Sequence, residues 1–116
     1  MPRARGGDVP LRGEVWWVSL DPTQGAEIRK TRPCLVLSAN ALNRLRSTVV
    51  VVPLSTAAKA HPPITIRVTC QDQEAVAVID QIRAVAKHRL RGRIETASGD
   101  DVRNVLAALA RILEMR

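Results

Sequence analysis

The sequence predicts a mainly β fold closed by a single C-terminal helix, a small barrel or curled sheet. Two observations carry that expectation. Short runs rich in Val, Ile and Leu recur between turn signals along most of the chain, the mark of a small all-β sheet. After Ser98 the apolar period changes from that of a strand to the three- and four-residue spacing of an amphipathic helix. At 116 residues the chain has the length of one domain.

The elements follow in order. Residues 1–12 are rich in Arg, Gly and Pro and read as a flexible basic tail, so the domain is expected to span 13–116. A first strand covers Glu14 to Leu20 and stops at Asp21-Pro22. Residues 21–31 form a polar loop with Gly25 inside it and Arg29-Lys30 near its end. Pro33 to Ser38 is apolar throughout, which predicts a strand buried on both faces. Asn40 to Arg46 reads as a short helical turn, and Thr48 to Val52 as a strand ended by Pro53. A loop carrying His61-Pro62-Pro63 precedes a strand from Ile64 to Thr69. Ala75 to Ile82 is the next strand, and Arg93 to Thr96 a short sixth. Ser98 is a good helix N-cap, with Asp100 and Asp101 in the first turn where the helix dipole favours negative charge. Val102, Val105, Leu106, Leu109, Ile112 and Leu113 then form the buried stripe of that helix.

Composition narrows the function. Eighteen Lys and Arg against eleven Asp and Glu give a net charge of +7, a surplus suited to a polyanionic partner. Fifteen of the cations are arginine, whose planar fork matches phosphate, although a GC-rich genome raises Arg regardless of function. Phe and Tyr are absent, so the core must be built from Val, Ile, Leu and Ala. Cys34 and Cys70 lack metal-ligand spacing, and Cys34, in an apolar run, reads as a small buried residue. The basic start has no apolar segment behind it, and no stretch approaches the ~20 apolar residues of a membrane span. The expectation is a soluble cytoplasmic protein with no membrane association.

Several familiar chemistries find no support. There is no Gly-rich phosphate loop and no carboxylate cluster at metal-ligand spacing; no cofactor is expected. Only His61 and His88 could serve a paired-histidine mechanism. What stands out is a polar loop holding Glu27, Arg29, Lys30 and Arg32, followed directly by Pro33. Pro33 biases Arg32 to extended backbone, a fixed position from which to aim a guanidinium. Ser55 and Thr56 follow Pro53-Leu54 at another strand end. Hydroxyls beside an arginine make a phosphate cradle; the alternative is an ordinary solvated loop.

Gly13-Glu14-Val15-Trp16-Trp17-Val18-Ser19-Leu20-Asp21-Pro22, Gly25-Ala26-Glu27 and Arg32-Pro33-Cys34-Leu35-Val36-Leu37-Ser38 resemble the opening of the MazF/PemK/Kid family of toxin endoribonucleases. The resemblance continues through Asn43, Val50-Val51-Val52-Pro53-Leu54-Ser55-Thr56 and Ala77 to Val85, in the same order. It implies an SH3-like barrel of the CcdB/PemK kind, a homodimer, and metal-independent cleavage of single-stranded RNA. It also implies a cognate antitoxin whose C-terminal tail is disordered until bound. By the same resemblance Arg32 is the catalytic arginine, Glu27 the loop glutamate and Ser55, or the adjacent Thr56, the active hydroxyl. Arg29, Asp80 and Gln81 fall where RNA contacts would lie. Thr31 stands where some relatives have His, which puts a histidine-assisted step in doubt.

Arg83, Lys87, Arg89, Arg91 and Arg93 place five cations in eleven residues without an acid, a run that would track an RNA backbone, bind acidic residues of an antitoxin, or lie solvated. On an alternating strand one of the two tryptophans must face inward. The resemblance matches Trp17 to the family's usual core aromatic, leaving Trp16 as the stacking platform for a base. Apolar residues left on the flat barrel surface would favour a symmetric dimer. The competing readings are a non-enzymatic gyrase poison similar to CcdB and a catalytically silent nucleic-acid-binding module, neither of which predicts a cut product.

Overall fold

The structure, a computed structural model, describes residues 9–20 and 30–115. Its strands are β1 (Glu14–Ser19), β2 (Thr31–Val36), β3 (Thr48–Ser55), β4 (Thr65–Cys70), β5 (Gln73–Val78), β6 (Arg83–Ala86) and β7 (Leu90–Thr96). A short helix α1 (Asn40–Leu45) precedes β3, and α2 (Gly99–Ile112) ends the fold. The sheet runs in the order β4-β5-β3-β2-β1-β7, with β6 pairing β3 off that path, and every pairing is antiparallel. The expected mainly β fold with a C-terminal helix is what forms.

β3 organises the sheet. Its outer edge pairs first with β6, from Thr48 opposite Ala86 to Val51 opposite Arg83, and then with β5, from Leu54 opposite Ala77. Pro53 therefore does not end the strand as the sequence led us to expect. The N–H of Val50 donates to Ser38 Oγ and its carbonyl accepts from Leu37, so Val50 faces the β2 side. By alternation Pro53 faces the outer edge, in the gap where β6 has left and β5 has just begun. A residue without a backbone donor is tolerated there.

The sheet buries both faces. Val15, Leu35, Val52, Leu54, Ala77 and Ile79 meet Val105 and Ala108 of α2 in one core. Trp16, Val18, Cys34, Val36, Val49, Val51 and Val85 form a second core on the opposite face. Cys34, Leu35 and Val36 are all buried, which confirms the two-faced burial expected of β2. The Ser98 hydroxyl accepts from Asp101 N–H at 3.0 Å, the predicted cap. Asp101 in turn accepts from Thr69 N–H at 3.0 Å, fastening α2 to β4. Leu113 lies past the helix end and is exposed, not buried with the stripe.

Two strand assignments change. The run expected as one strand to Ile82 stops at Val78, and Ile79–Gln81 make a 3-10 turn before β6. β6 presents only Val85 to the core, too little apolar pattern to reveal it in the sequence. Residues 9–12, taken in the sequence as the end of a tail, pack onto the domain: Pro10 is buried, and Arg12 N–H donates to Asn40 Oδ1 at 2.7 Å. Among the described residues no helix is long and apolar enough to cross a membrane.

Candidate active site

Arg32 is the second residue of β2 and lies opposite Val18 of β1. On its other side the β2–β3 ladder ends with Cys34 opposite Pro53. Two residues further along that antiparallel register, Arg32 falls across from Ser55, the last residue of β3. Both line a cleft of about 220 Å3, together with Thr31, Pro33, Leu54 and Thr56. Its far wall is the β4–β5 hairpin, through Cys70, Gln71, Gln73 and Ala75. Three of the four residues expected to carry chemistry, Arg32, Ser55 and Thr56, thus share one opening although they come from distant parts of the chain.

The Ser55 hydroxyl accepts the N–H of Ala57 at 3.1 Å and of Ala58 at 3.2 Å. These two bonds occupy its lone pairs and leave its proton to be donated. Thr56 is exposed. Arg32 is also exposed, as a guanidinium must be to meet a solvated phosphate.

The tryptophans are reversed from expectation. Trp16 is 6% exposed in the second core, whereas Trp17 is 38% exposed and lines the cleft. The reason lies on the neighbouring strand residue. Trp16 Nε1 donates to the buried Glu14 carboxylate at 3.0 Å, which satisfies its polar atom only if the ring points inward. Trp16 is therefore withdrawn as a stacking platform.

Glu27 and Arg29 lie outside the described residues. Lys30 is exposed, with φ of 70°, and its carbonyl accepts from Leu20 N–H at 3.0 Å at the mouth of the loop. Asp80 and Gln81 on the β5–β6 connection and Arg83 at the start of β6 stand together and do not line the cleft. Arg83 NH2 donates to Gln81 Oε1 at 3.1 Å, and Asp80 is exposed. Arg89 NH1 donates to the Ser19 carbonyl at 3.2 Å, pinning the end of β1. Lys87 sits in the 3-10 turn before β7, half-buried. The basic run is thus spread over β6, a turn and β7, apart from the Arg32 cleft.

Both thiols are held toward their protonated form. Burial pushes the Cys34 thiol from 9.0 up to about 12, against a smaller opposing pull from Arg83. Cys70 is raised by burial first and by Glu95 second. Among the described residues no three His, Cys, Asp or Glu side chains gather as a metal-binding group. Sequence reasoning missed Trp17, Gln71 and Gln73; a Gln-Asp turn without glycine offers no signal for so tight a hairpin.

A family model described as "PemK-like, MazF-like toxin of type II toxin-antitoxin system" matches residues 11–113. The chain belongs to this family. The endoribonuclease toxin MazF of Escherichia coli K12 is 36% identical over 78 residues, covering 67% of this chain and 69% of that protein. Among solved structures, MazF from Deinococcus radiodurans superposes with a TM-score of 0.83 at 27% identity, covering 92% of this chain and 98% of the other. An endoribonuclease from Mycobacterial species, solved in complex with its cognate antitoxin, gives a TM-score of 0.77 at 26% identity over 92% and 97% of the two chains. The expected SH3-like, CcdB/PemK-type barrel is the fold these likenesses share with this MazF/PemK-family toxin. The family match does not favour the gyrase-poison and silent-module readings.

Proposed function

We propose that this MazF/PemK-family toxin cuts single-stranded RNA without a metal, using the substrate's own 2′-hydroxyl as nucleophile in the Arg32 cleft. The observation that carries the reading is the convergence of Arg32, Ser55 and Thr56 on one opening, within a chain of the endoribonuclease toxin family. The 2′-oxygen attacks the adjacent phosphorus and loses its proton to a base. The P–O5′ bond breaks, and a proton passes to the departing 5′-oxygen. The products are a 2′,3′-cyclic phosphate and a 5′-hydroxyl, and DNA resists for want of the nucleophile.

Arg32 stabilises the dianionic phosphorane, since one guanidinium can bond two phosphoryl oxygens. It is not the acid, because arginine does not deprotonate in proteins. The Ser55 hydroxyl, its lone pairs already engaged by two amides, supplies a further donor to the phosphate. Glu27 is the proposed base for the 2′-hydroxyl. Arg29, Lys30, Asp80, Gln81, Arg83, Lys87 and Arg89 remain proposed RNA contacts, the last five standing on β6 and the 3-10 turns either side of it, beyond the cleft.

The proposed partners are single-stranded RNA, a cognate antitoxin whose C-terminal tail is disordered until bound, and a second copy of the chain. The antitoxin complex of the Mycobacterial endoribonuclease supports the second. Leu42 and Leu45, exposed side by side at three-residue spacing on α1, support the third.

The test is incubation of the protein and Arg32→Ala with a long single-stranded RNA in EDTA. Fragments bearing 5′-hydroxyls from the wild type, with kcat reduced about 10²–10³-fold or more in the variant, are expected. Intact RNA from a folded wild type across several RNAs would overturn the reading.

A further inference from the structure

We propose that the tip of the β4–β5 hairpin is a nucleobase-recognition element: Gln71 and Gln73 read the edge of one base beside the scissile phosphate while Trp17 stacks on its face. This rests on the ribonuclease reading of the cleft and assigns what that reading leaves open, how the enzyme selects where to cut.

Cys70 and Gln73 are the last pair of the ladder, so only Gln71 and Asp72 make the turn. Their φ values of 54° and 60° are both left-handed. Such two-residue turns normally take Asn-Gly, because at positive φ the Cβ crowds the backbone, and Gly, Asn and Asp bear that best. A glutamine held in this conformation is a feature the fold maintains, and such outliers collect at binding sites. The tip is also anchored: Gln71 N–H donates to Glu95 Oε2 of β7 at 3.0 Å. Gln71 and Gln73 both line the cleft, facing the β1–β2 wall that holds Trp17 and Arg32.

The chemistry of the two walls differs. Arg32 and Ser55 offer charge and hydroxyl to a phosphate. The hairpin offers uncharged amides, each with a donor beside an acceptor, which match the in-plane edge of a base and have no preference for phosphate. Trp17 supplies an exposed aromatic face, and bases splayed from single-stranded RNA are bound by such stacking. The cleft of about 220 Å3 is smaller than the ~300–1,000 Å3 of a drug-sized ligand site. It holds one base, not a run of them.

The experiment maps 5′-ends of cleavage products from a randomised RNA pool for the wild type, Gln73→Ala and Gln71→Asn. Asparagine tolerates the left-handed turn and shortens only the reach, so folding is kept. Both variants should still cut, with the preference at one position next to the cut reduced roughly 5- to 100-fold. Removing the base at that position from a defined substrate should erase the difference between wild type and variant. Cutting variants with an unchanged preference, or losses that simply add, would overturn this inference alone. A wild type that cuts no RNA would remove the ribonuclease reading and this inference with it.

Discussion

Trp16 Nε1 donates to Glu14 Oε1 at 3.0 Å, and the same oxygen accepts the Leu11 N–H at 2.9 Å. Arg93 of β7 stands 3.9 Å from the other carboxylate oxygen. One buried carboxylate therefore ties β1 to the preceding segment and to its neighbouring strand. It also decides which tryptophan faces the cleft.

Glu14→Ala should consequently destabilise the fold. It leaves the buried Trp16 N–H and the half-buried Leu11 N–H without their acceptor, at ~1–3 kcal/mol for a buried donor and less for the other, so a loss of about 2–4 kcal/mol is expected from urea unfolding. Glu14→Gln keeps an acceptor and should cost less than the alanine. An alanine variant within about 0.5 kcal/mol of the wild type, the range of ordinary surface changes, would show the carboxylate holds nothing.

Ser55 and Thr56 can be separated by activity. Ser55→Ala removes the acceptor for two loop amides and a donor to the phosphate. Single-turnover cleavage should fall about 10²-fold. Thr56→Val keeps the shape and loses only an exposed hydroxyl, so a fall of roughly tenfold or less is expected. Ser55→Thr should retain most activity. A valine variant slower than Ser55→Ala would reverse the assignment.

How much of this was legible before the structure differs by element. β1 and β2 announce themselves through strong apolar pattern, α2 through its apolar period and the Ser98 cap, and Arg32 through the proline beside it. Burial on both faces hides more. β1 buries Val15, Trp16 and Val18 in two cores, so alternation could not choose between the tryptophans, and only the Glu14 bond does. β6 was missed because Val85 alone reaches the core. The strand through Pro53 was cut short because a proline's fitness there depends on which partner occupies the outer edge, a fact of topology. The hairpin wall of the cleft could not be read from sequence, since Gln71-Asp72 lacks the glycine that marks a two-residue hairpin turn, and Asp alone does not mark one.

Cys34 predicts a stability change at alkaline pH. Burial raises its folded value from 9.0 to about 12, so the native state holds the proton more tightly than the unfolded chain. Its stabilisation is complete below pH 9 and is lost as pH rises from there toward 12. The slope should approach about 1.4 kcal/mol per pH unit. Tyrosine is absent from the chain, which keeps this range clear of phenol titration. Cys34→Ala should flatten the slope in unfolding measured between pH 8.5 and 11; equal slopes for both proteins would refute the assignment. Native Cys34 should also resist thiol reagents until the protein unfolds.

The boundary of the domain can be tested through Asn43, which is fully buried in the short helix α1. Its Nδ2 donates to the carbonyls of Pro10 at 3.1 Å and Ser38 at 3.0 Å, and its Oδ1 accepts the Ser38 hydroxyl. The amide thus joins α1, the end of β2 and the segment before β1. Deleting residues 1–8 removes none of these bonds and should leave the unfolding midpoint unchanged. Deleting 1–12 takes away the Pro10 acceptor and the Leu11 and Arg12 bonds, and leaves a buried amide hydrogen unpaired. That should cost about 2–4 kcal/mol. Asn43→Ala, which strands Pro10 and Ser38 together and opens a gap, should cost at least as much as the longer deletion. If both deletions unfold at the wild-type midpoint, residues 9–12 contribute nothing and the domain begins at Gly13, where the composition alone would place it.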